Sequence, residues 1–279
     1  MNLLEQTKEL CRLYNIKPAR SKGQNFLIEE KIYDDIVAAA DLKSDDIVLE
    51  VGPGLGFLTA KLAKIAKQVV AIELDDKLAE VLRAGLLAQE ILNVEVINED
   101  VLKTIDKFSL PPFNCGFKIV ANLPYNITSI FLRKFLSETE NKPELTVLML
   151  QKEVAERITA KPGKMSLLGV SVQCYAKPEI IQIVAKENFW PEPKVDSAVV
   201  KILLGRNPFI DEDKEKDFFK LVKFGFSAKR KMLKNNLAAG FKINQDEAEN
   251  KIIHAGFNPK IRAQELSVVD WLKLCGKFY

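Results

Sequence analysis

The sequence predicts an α/β fold, with a doubly wound and mostly parallel sheet followed by a small all-helical domain. Short apolar segments alternate with amphipathic helical segments through the first two-thirds of the chain. Two further β-rich segments follow without a helix between them, and the remaining residues show only helical patterning. We therefore expect one domain over residues 1–206 and a helical domain over residues 207–279.

Five segments have the mostly apolar composition of strands that are buried on both faces of a parallel sheet. They are residues 47–51, 68–73, 94–98, 117–121 and 146–150. The segments between them repeat apolar residues at i, i+3 and i+4, which predicts crossover helices on the two faces of the sheet. These predicted helices cover residues 57–66, 76–88 and 129–136.

The two β-rich segments that follow are residues 179–186 and 197–204, joined by FWPEPKVD. Because no helix is predicted between them, they are expected to form an antiparallel hairpin that closes the sheet. Four helices are predicted in the last domain. They cover residues 214–226, 230–239, 245–254 and 263–273.

The composition excludes several classes of protein. A chain of 279 residues with 47% hydrophobic residues is not disordered. Its four cysteines are too far apart for paired metal ligands, which indicates a reducing compartment. No apolar segment approaches the roughly 20 residues of a membrane helix, so a cytoplasmic protein without a membrane partner is expected. The single histidine, His254, nearly excludes catalytic triads and multi-histidine sites, and no metal is expected.

The formal charge of +3 conceals an uneven distribution. Residues 207–279 hold 14 basic and 10 acidic residues, and no acidic residue lies between Asp217 and Asp246. Seven basic residues fall in that interval, which favours an anionic partner. The alternative is a solvated helix face without a partner.

A glycine-rich turn follows the first predicted strand of the sheet, with Gly52, Gly54 and Gly56 at alternate positions. Glycine there permits positive φ and lets a ligand approach the backbone. The dinucleotide fingerprint requires a third glycine where this chain has Phe57, so NAD is disfavoured. The G-x-G-x-G spacing after an acidic residue instead resembles the S-adenosylmethionine loop of Rossmann-like methyltransferases.

Polar residues also end the next strands. Glu73, the last residue of the second, can accept hydrogen bonds from both ribose hydroxyls, and Asp100 follows the third. The fourth is followed by Asn122, Leu123, Pro124 and Tyr125, in which side-chain and backbone oxygens can accept the N–H bonds of an amino group and Tyr125 offers a stacking face. Such a site needs orientation more than a strong base. The simpler alternative is a turn that caps a strand.

With these motifs the chain resembles the ribosomal RNA adenine dimethyltransferases that modify small-subunit RNA. Further matches are KGQNFL at residues 22–27, QKEV at 151–154 and FWPEPKVDSA at 189–198. The resemblance covers nearly the whole chain and implies a Rossmann-like domain that uses S-adenosyl-L-methionine and releases S-adenosyl-L-homocysteine. It also implies a cofactor site, whose residues are Asn25, Leu27, Gly52, Gly54, Gly56, Glu73, Asp100 and Asn122.

The same resemblance implies that Phe189 stacks on a flipped adenine opposite Tyr125. Because Pro191 and Pro193 follow it closely, Phe189 is expected to present an exposed ring. The alternative is a hydrophobic plug in a hairpin turn.

Two groups of basic residues are expected to follow the RNA backbone and give salt-sensitive affinity. They are Lys17, Arg20 and Lys22 near the N-terminus, and Lys223, Lys229, Arg230, Lys231 and Lys234 in the helical domain.

Two departures from the family pattern concern this surface. The loop over residues 161–173 is short, which puts RNA contacts there in doubt, and lysines replace arginines that are usual in the segment 226–231.

The resemblance implies a monomeric enzyme that dimethylates two adjacent adenines near the 3′ end of small-subunit RNA, in a partly assembled ribosomal subunit. Two rival hypotheses stay open. One is a resistance-type dimethylase of large-subunit RNA, and the other is a non-catalytic RNA or DNA binder on the same scaffold. DNA adenine methylation is disfavoured because Leu123 stands where many DNA enzymes carry proline.

Overall fold

The computed structural model describes residues 1–18, 24–104, 112–113, 116–139, 141–205 and 212–279. These residues form two compact units. The first consists of Met1–Ala155 and Glu179–Leu204, and the second of Glu156–Pro178 and Gly205–Tyr279. Residues 156–178 were predicted to lie in the first domain, whereas in the structure they cluster with residues 205–279.

A seven-stranded sheet forms the centre of the first unit, with strand order β4-β3-β2-β5-β6-β9-β7. A separate pair is formed by β1 (Phe26–Leu27) and β8 (Phe189–Trp190). The strands of the large sheet are β2 (Ile47–Val51), β3 (Gln68–Ile72), β4 (Val94–Ile97), β5 (Lys118–Asn122), β6 (Leu145–Gln151), β7 (Ala176–Val184) and β9 (Ser197–Leu204).

The pairing of these strands confirms the predicted fold class. Strands β2, β3, β4, β5 and β6 are parallel, and β9 runs antiparallel to β6 from Leu145↔Leu203 to Gln151↔Ser197. The last strand, β7, lies on the outer side of β9. Parallel strands bring their carboxyl ends to one edge of a sheet, so Val51, Ile72 and Asn122 end at the same edge.

Five of the described α-helices lie wholly within the first unit, and four of these five differ from the prediction. Helices α1 (Leu3–Leu13) and α2 (Glu30–Ala39) were not predicted, and α3 (Phe57–Ala63) is about one turn shorter than predicted. Helix α5 (Thr128–Arg133) ends at a π-helix, which the prediction had included in the same helix. The bounds of α4 (Asp76–Ala88) are those predicted. Side chains of α2 and α3, including Ile36 and Leu62, are fully buried in one cluster with strand residues such as Val48 and Val147. This packing holds the β2–α3 turn in place.

The helices of the later part of the chain are α6 (Lys152–Ile158), α7 (Leu167–Gln173), α8 (Glu212–Gly225), α9 (Leu233–Phe241), α10 (Gln245–His254) and α11 (Val268–Phe278). In the second unit, the backbone N–H groups of Gly163 and Met165 both donate to the carbonyl of Gln264, at 2.8 and 3.1 Å. These bonds tie the segment before α7 to the turn between α10 and α11, and the second half of the predicted 161–173 loop is helix α7 in the structure. None of the described helices is long and apolar enough to cross a membrane.

Candidate active site

A cavity of about 280 Å³ opens at the edge of the sheet where β2, β3 and β5 end. All of the residues that line it belong to the first unit. The structure brings together here nearly every residue that the sequence analysis assigned to the cofactor and to catalysis. Those that line the cavity are Asn25, Leu27, Gly52, Gly54, Glu73, Asp100, Asn122, Leu123, Pro124 and Tyr125.

The turn between β2 and α3 has a backbone conformation that favours glycine at three positions. Gly52, Gly54 and Gly56 have φ of 67°, 59° and 84°, a region that other residues rarely adopt. A Cβ at Gly56 would lie 2.5 Å from Cδ1 of Leu82 on α4, and one at Gly52 would lie 3.3 Å from Cδ of Pro124. The turn therefore keeps the backbone of β2 close to both α4 and the end of β5.

Glu73 holds this turn from the end of β3. Its Oε2 accepts a hydrogen bond from the backbone N–H of Gly54 at 3.1 Å, and its Oε1 accepts one from the N–H of Asp75 at 2.9 Å. Burial raises the pKa of Glu73, and the two backbone donors oppose that shift. Each carboxylate oxygen keeps a second lone pair for a ligand hydroxyl. Glu73 can therefore orient the turn and bind a ribose at the same time.

Asp100 lies beyond the end of β4. Its Oδ1 accepts a hydrogen bond from the backbone N–H of Leu102 at 3.0 Å, which fixes the carboxylate on the cavity wall. Asn98 donates from its side chain to the carbonyl of Glu73 at 2.9 Å and so links the segment after β4 to the end of β3. The polar groups after these two neighbouring strands thus form one continuous wall.

The segment after β5 forms the opposite wall. The backbone N–H of Leu123 donates to the carbonyl of Met149 at 3.3 Å, which continues the pairing of β5 with β6. The carbonyl of Pro124 already accepts a hydrogen bond from the N–H of Ile127 at 3.2 Å. The carbonyl of Leu123 is therefore the better second acceptor for an amino group, beside the side-chain oxygen of Asn122.

Strands β1 and β8 bring the N-terminal motif to the cavity. They pair antiparallel, with Phe26 opposite Trp190 and Leu27 opposite Phe189. The hydroxyl of Tyr33 donates to the carbonyl of Leu27 at 3.0 Å. Leu27 is fully buried, and Asn25, one residue before the strand, lies on the cavity wall.

The expectation that Phe189 presents an exposed ring is wrong. Only 3% of the residue is exposed, and its side chain belongs to the core cluster that contains Leu27, Tyr33 and Val147. The pairing of β8 with β1 turns the Phe189 ring towards the core. The presence of Pro191 and Pro193 does not predict this orientation. Its stacking on a flipped base stays a prediction.

Glu50 is a polar residue of the cavity wall that the sequence analysis did not assign to the site. It lies on β2, is 1% exposed, and its Oε2 has no hydrogen-bond partner among the described residues. Burial raises the pKa of Glu50 to about 8, and the charge of Glu73 adds to this shift. An acidic residue inside an otherwise apolar strand was the signal in the sequence.

This burial makes the stability of the fold depend on pH. Between the ordinary value of 4.5 and about 8, Glu50 keeps its proton in the folded chain and loses it in the unfolded chain. The stabilisation contributed by protonated Glu50 is therefore complete below pH 4.5. It is lost as the pH rises through about 8. We expect the free energy of unfolding to fall over this range, and to fall less in Glu50→Gln, by a difference on the order of 4 kcal/mol.

Denaturant unfolding of the two proteins at several pH values between about 5 and 8 measures this difference. The variant should keep a small slope, because the pKa of Glu73 is raised as well. Glu95→Gln, which changes an exposed carboxylate of β4, is the matched control and should follow the parent protein. Equal slopes in the parent protein and Glu50→Gln would contradict the assignment.

The basic residues expected to bind RNA are distributed over both units. Lys17 is exposed in the first unit, whereas Arg20 and Lys22 lie outside the described residues. Lys223, Lys229, Arg230 and Lys231 are exposed in the second unit. Lys234 instead forms an ion pair with Glu249 at 2.5 Å and is the most enclosed of the described lysines in this group.

The comparisons with known proteins agree with this geometry. The family model described as ribosomal RNA adenine dimethylase matches residues 16–278. The chain belongs to this family.

Curated relatives of this dimethylase are similar over nearly their whole length. The ribosomal RNA small subunit methyltransferase A of Dehalococcoides mccartyi is 44% identical over 274 residues, or 98% of this chain and 93% of the relative. The protein of the same name from Clostridium botulinum is 40% identical over 275 residues, or 98% of each chain. The chain is therefore an S-adenosylmethionine-dependent methyltransferase by family, as the sequence predicted.

Solved structures of two dimethylase relatives have the same fold. A dimethyladenosine transferase from Plasmodium falciparum has a TM-score of 0.75 at 30% identity, with 88% of this chain and 94% of that chain covered. The 23S rRNA methyltransferase ErmE has a TM-score of 0.72, also at 30% identity, with 91% and 99% covered. Because the two TM-scores are nearly equal, structural similarity alone does not show which of these two relatives the chain resembles more in its activity.

Proposed function

We propose that this dimethylase transfers methyl groups from S-adenosyl-L-methionine to N6 of two adjacent adenosines near the 3′ end of small-subunit ribosomal RNA, and releases S-adenosyl-L-homocysteine. The observation that carries the proposal is the position of the Asn122–Tyr125 segment, which lines the same cavity as Gly54 and Glu73. Acceptors for an amino group thus lie beside a site suited to a nucleoside cofactor. Similarity to proteins named for the small subunit supports the choice of RNA.

The residues of the cavity fit the cofactor that the family implies. Gly52 and Gly54 let a ligand approach the backbone, Glu73 would bind the ribose, and Asp100 would contact the adenine edge. Asn25 and the buried carboxyl of Glu50 also line the cavity and would offer acceptors to the ammonium group of the methionine end. When bound, the cofactor supplies a methyl group that is attached to a sulfonium sulfur. This sulfur is a good leaving group. The proposed chemistry does not require a metal.

The protein's own part in the reaction is to hold the target amine. The Asn122 side-chain oxygen and the Leu123 carbonyl would accept its two N–H bonds and draw the nitrogen towards tetrahedral geometry. The ring of Tyr125 would support the base from the side. Because the lone pair is then directed at the methyl group, orientation and electrostatics supply most of the catalysis.

The test is to incubate the protein with labelled S-adenosylmethionine and undermethylated small ribosomal subunits, and then to map the modified nucleoside. Dimethyladenosine at adjacent adenines near the 3′ end is the expected result. Label on large-subunit RNA in a parallel assay would instead favour the resistance-type activity. Binding of small subunits without transfer of label would favour a non-catalytic assembly factor.

We propose that the exposed cluster Lys229, Arg230 and Lys231 binds the RNA backbone. Within the described ranges, no ion pair occupies these side chains, in contrast to Lys234. Replacing all three by alanine should weaken binding to small subunits and reduce the slope of log affinity against log salt by about 2 to 3. Filter binding at several salt concentrations measures both effects.

The matched control replaces three exposed lysines elsewhere in the second unit, Lys260, Lys273 and Lys277. This variant loses a similar charge and should keep the parent slope. Equal slopes for the two triple variants would show that the 229–231 cluster has no special role.

In the cell we propose a monomeric cytoplasmic enzyme that acts on a partly assembled small subunit during ribosome biogenesis.

A further inference from the structure

Tyr125 and Ser197 share a hydrogen bond that joins two motifs far apart in the sequence. The Tyr125 hydroxyl lies 2.6 Å from Oγ of Ser197. Tyr125 follows the Asn122 motif and lines the cavity, whereas Ser197 is the first residue of β9 and is fully buried. This is the only hydrogen bond of the Tyr125 hydroxyl among the described residues.

The backbone of Ser197 is fixed on both sides. Ser197 is opposite Gln151 in the β6–β9 ladder, and the N–H of Lys152 donates to the carbonyl of Asp196 at 3.0 Å. The Asp196 side chain accepts a hydrogen bond from the N–H of Lys186 at 3.3 Å. A buried hydroxyl on such a backbone has little freedom, so it is a rigid anchor for its partner.

The tyrosine ring is consequently held at both ends. At its base, Pro124 restricts the backbone, because its ring fixes φ and its carbonyl accepts the turn hydrogen bond from Ile127. At its tip, Ser197 holds the hydroxyl. A ring that supports a base by stacking must keep one plane, and a free hydroxyl end would let the side chain turn away from it.

We propose that Ser197 is a positioning residue of the methyl-transfer reaction, which acts by holding the ring of Tyr125 in the plane required to support the target adenine. This inference rests on the function proposed above. Ser197 touches neither the cofactor nor the reacting atoms in this assignment. Its effect should therefore appear in the turnover rate and should depend entirely on the hydroxyl of Tyr125.

The test compares Ser197→Ala, Tyr125→Phe and the double variant in steady-state methylation of undermethylated small subunits. Each single variant removes the same hydrogen bond from one side, and each should lower kcat about tenfold, the equivalent of about 1.4 kcal/mol. KM for S-adenosylmethionine should stay within about twofold in all three. In the double variant, kcat should be no lower than in the slower single variant.

Several outcomes would overturn the inference. They are full activity of either single variant, an undiminished effect of Ser197→Ala in the Tyr125→Phe background, and a loss that appears only in KM. Ser137→Ala removes a hydroxyl that bonds locally to the carbonyl of Arg133, at 2.7 Å, and should remain fully active. The assay of the parent protein distinguishes a failure of this inference from a failure of the proposed function. If the parent protein does not methylate adenosine, the proposed function is refuted.

Discussion

Replacing Asn122 by alanine is expected to lower the rate of methyl transfer by about 10²- to 10³-fold, the usual cost of removing one preorganised polar group from a reacting centre. The side-chain oxygen of Asn122, at the end of β5 on the cavity wall, is the acceptor proposed for the target amine. Without it, the nitrogen lone pair stays delocalised in the ring. Single-turnover transfer of labelled methyl groups to small subunits measures the effect.

The remaining properties of Asn122→Ala should change little. Asn122 pairs with Met149 through its backbone, which the substitution leaves in place. Affinity for the ribosomal subunit should stay close to that of the parent protein, because the cluster proposed to bind the RNA backbone lies elsewhere. Asn250→Ala, on the exposed side of α10, is the matched control and should be fully active. An equal loss of RNA binding in Asn122→Ala would contradict the catalytic role.

Replacing Glu73 by alanine should weaken the binding of S-adenosyl-L-homocysteine by about a hundredfold. The substitution removes two hydrogen bonds that hold the turn, at the N–H groups of Gly54 and Asp75, and with them the acceptors proposed for the ribose. The two backbone donors would be left without the carboxylate, which adds to the cost. Isothermal titration calorimetry measures the dissociation constant.

Glu95→Ala is the control for this experiment, because Glu95 is an exposed carboxylate on the neighbouring strand β4. It should bind the ligand as the parent protein does. Glu73→Gln keeps the shape of the side chain but only one acceptor oxygen, so its affinity should fall between those of the parent and Glu73→Ala. Unchanged affinity in Glu73→Ala would show that the ribose binds elsewhere.

The sequence predicted most of the sheet and most of the cavity wall. Strand β2 and helix α4 have the predicted bounds, because a continuous apolar segment and a regular apolar spacing are strong local signals. The position of Glu73 and Asn122 on the cavity wall could be predicted because both lie at the ends of parallel strands, and such ends meet at one edge. These predictions needed no knowledge of contacts between distant residues.

Two of the features that were missed depend on such contacts. The burial of Phe189 follows from its position opposite Leu27, and the bond between Ser197 and Tyr125 joins residues 72 positions apart. The start of helix α11 was missed for a different reason. The helix begins at Val268, five residues later than predicted, because Ser267 caps it and Asp270 accepts a hydrogen bond from the Ser267 N–H at 2.9 Å, and this local capping signal is not part of the apolar pattern.

The pairing of β1 with β8 has a consequence for the order in which the site is assembled during synthesis. A ribosome makes the glycine turn, Glu73 and Asn122 well before it reaches Phe189 and Trp190. The early segment Phe26–Leu27 therefore waits for a partner strand that is translated near the end of the first unit. Contacts of such large sequence separation form late in folding. A nascent chain that stops before β8 should accordingly form much of the parallel sheet but lack a complete cofactor cavity.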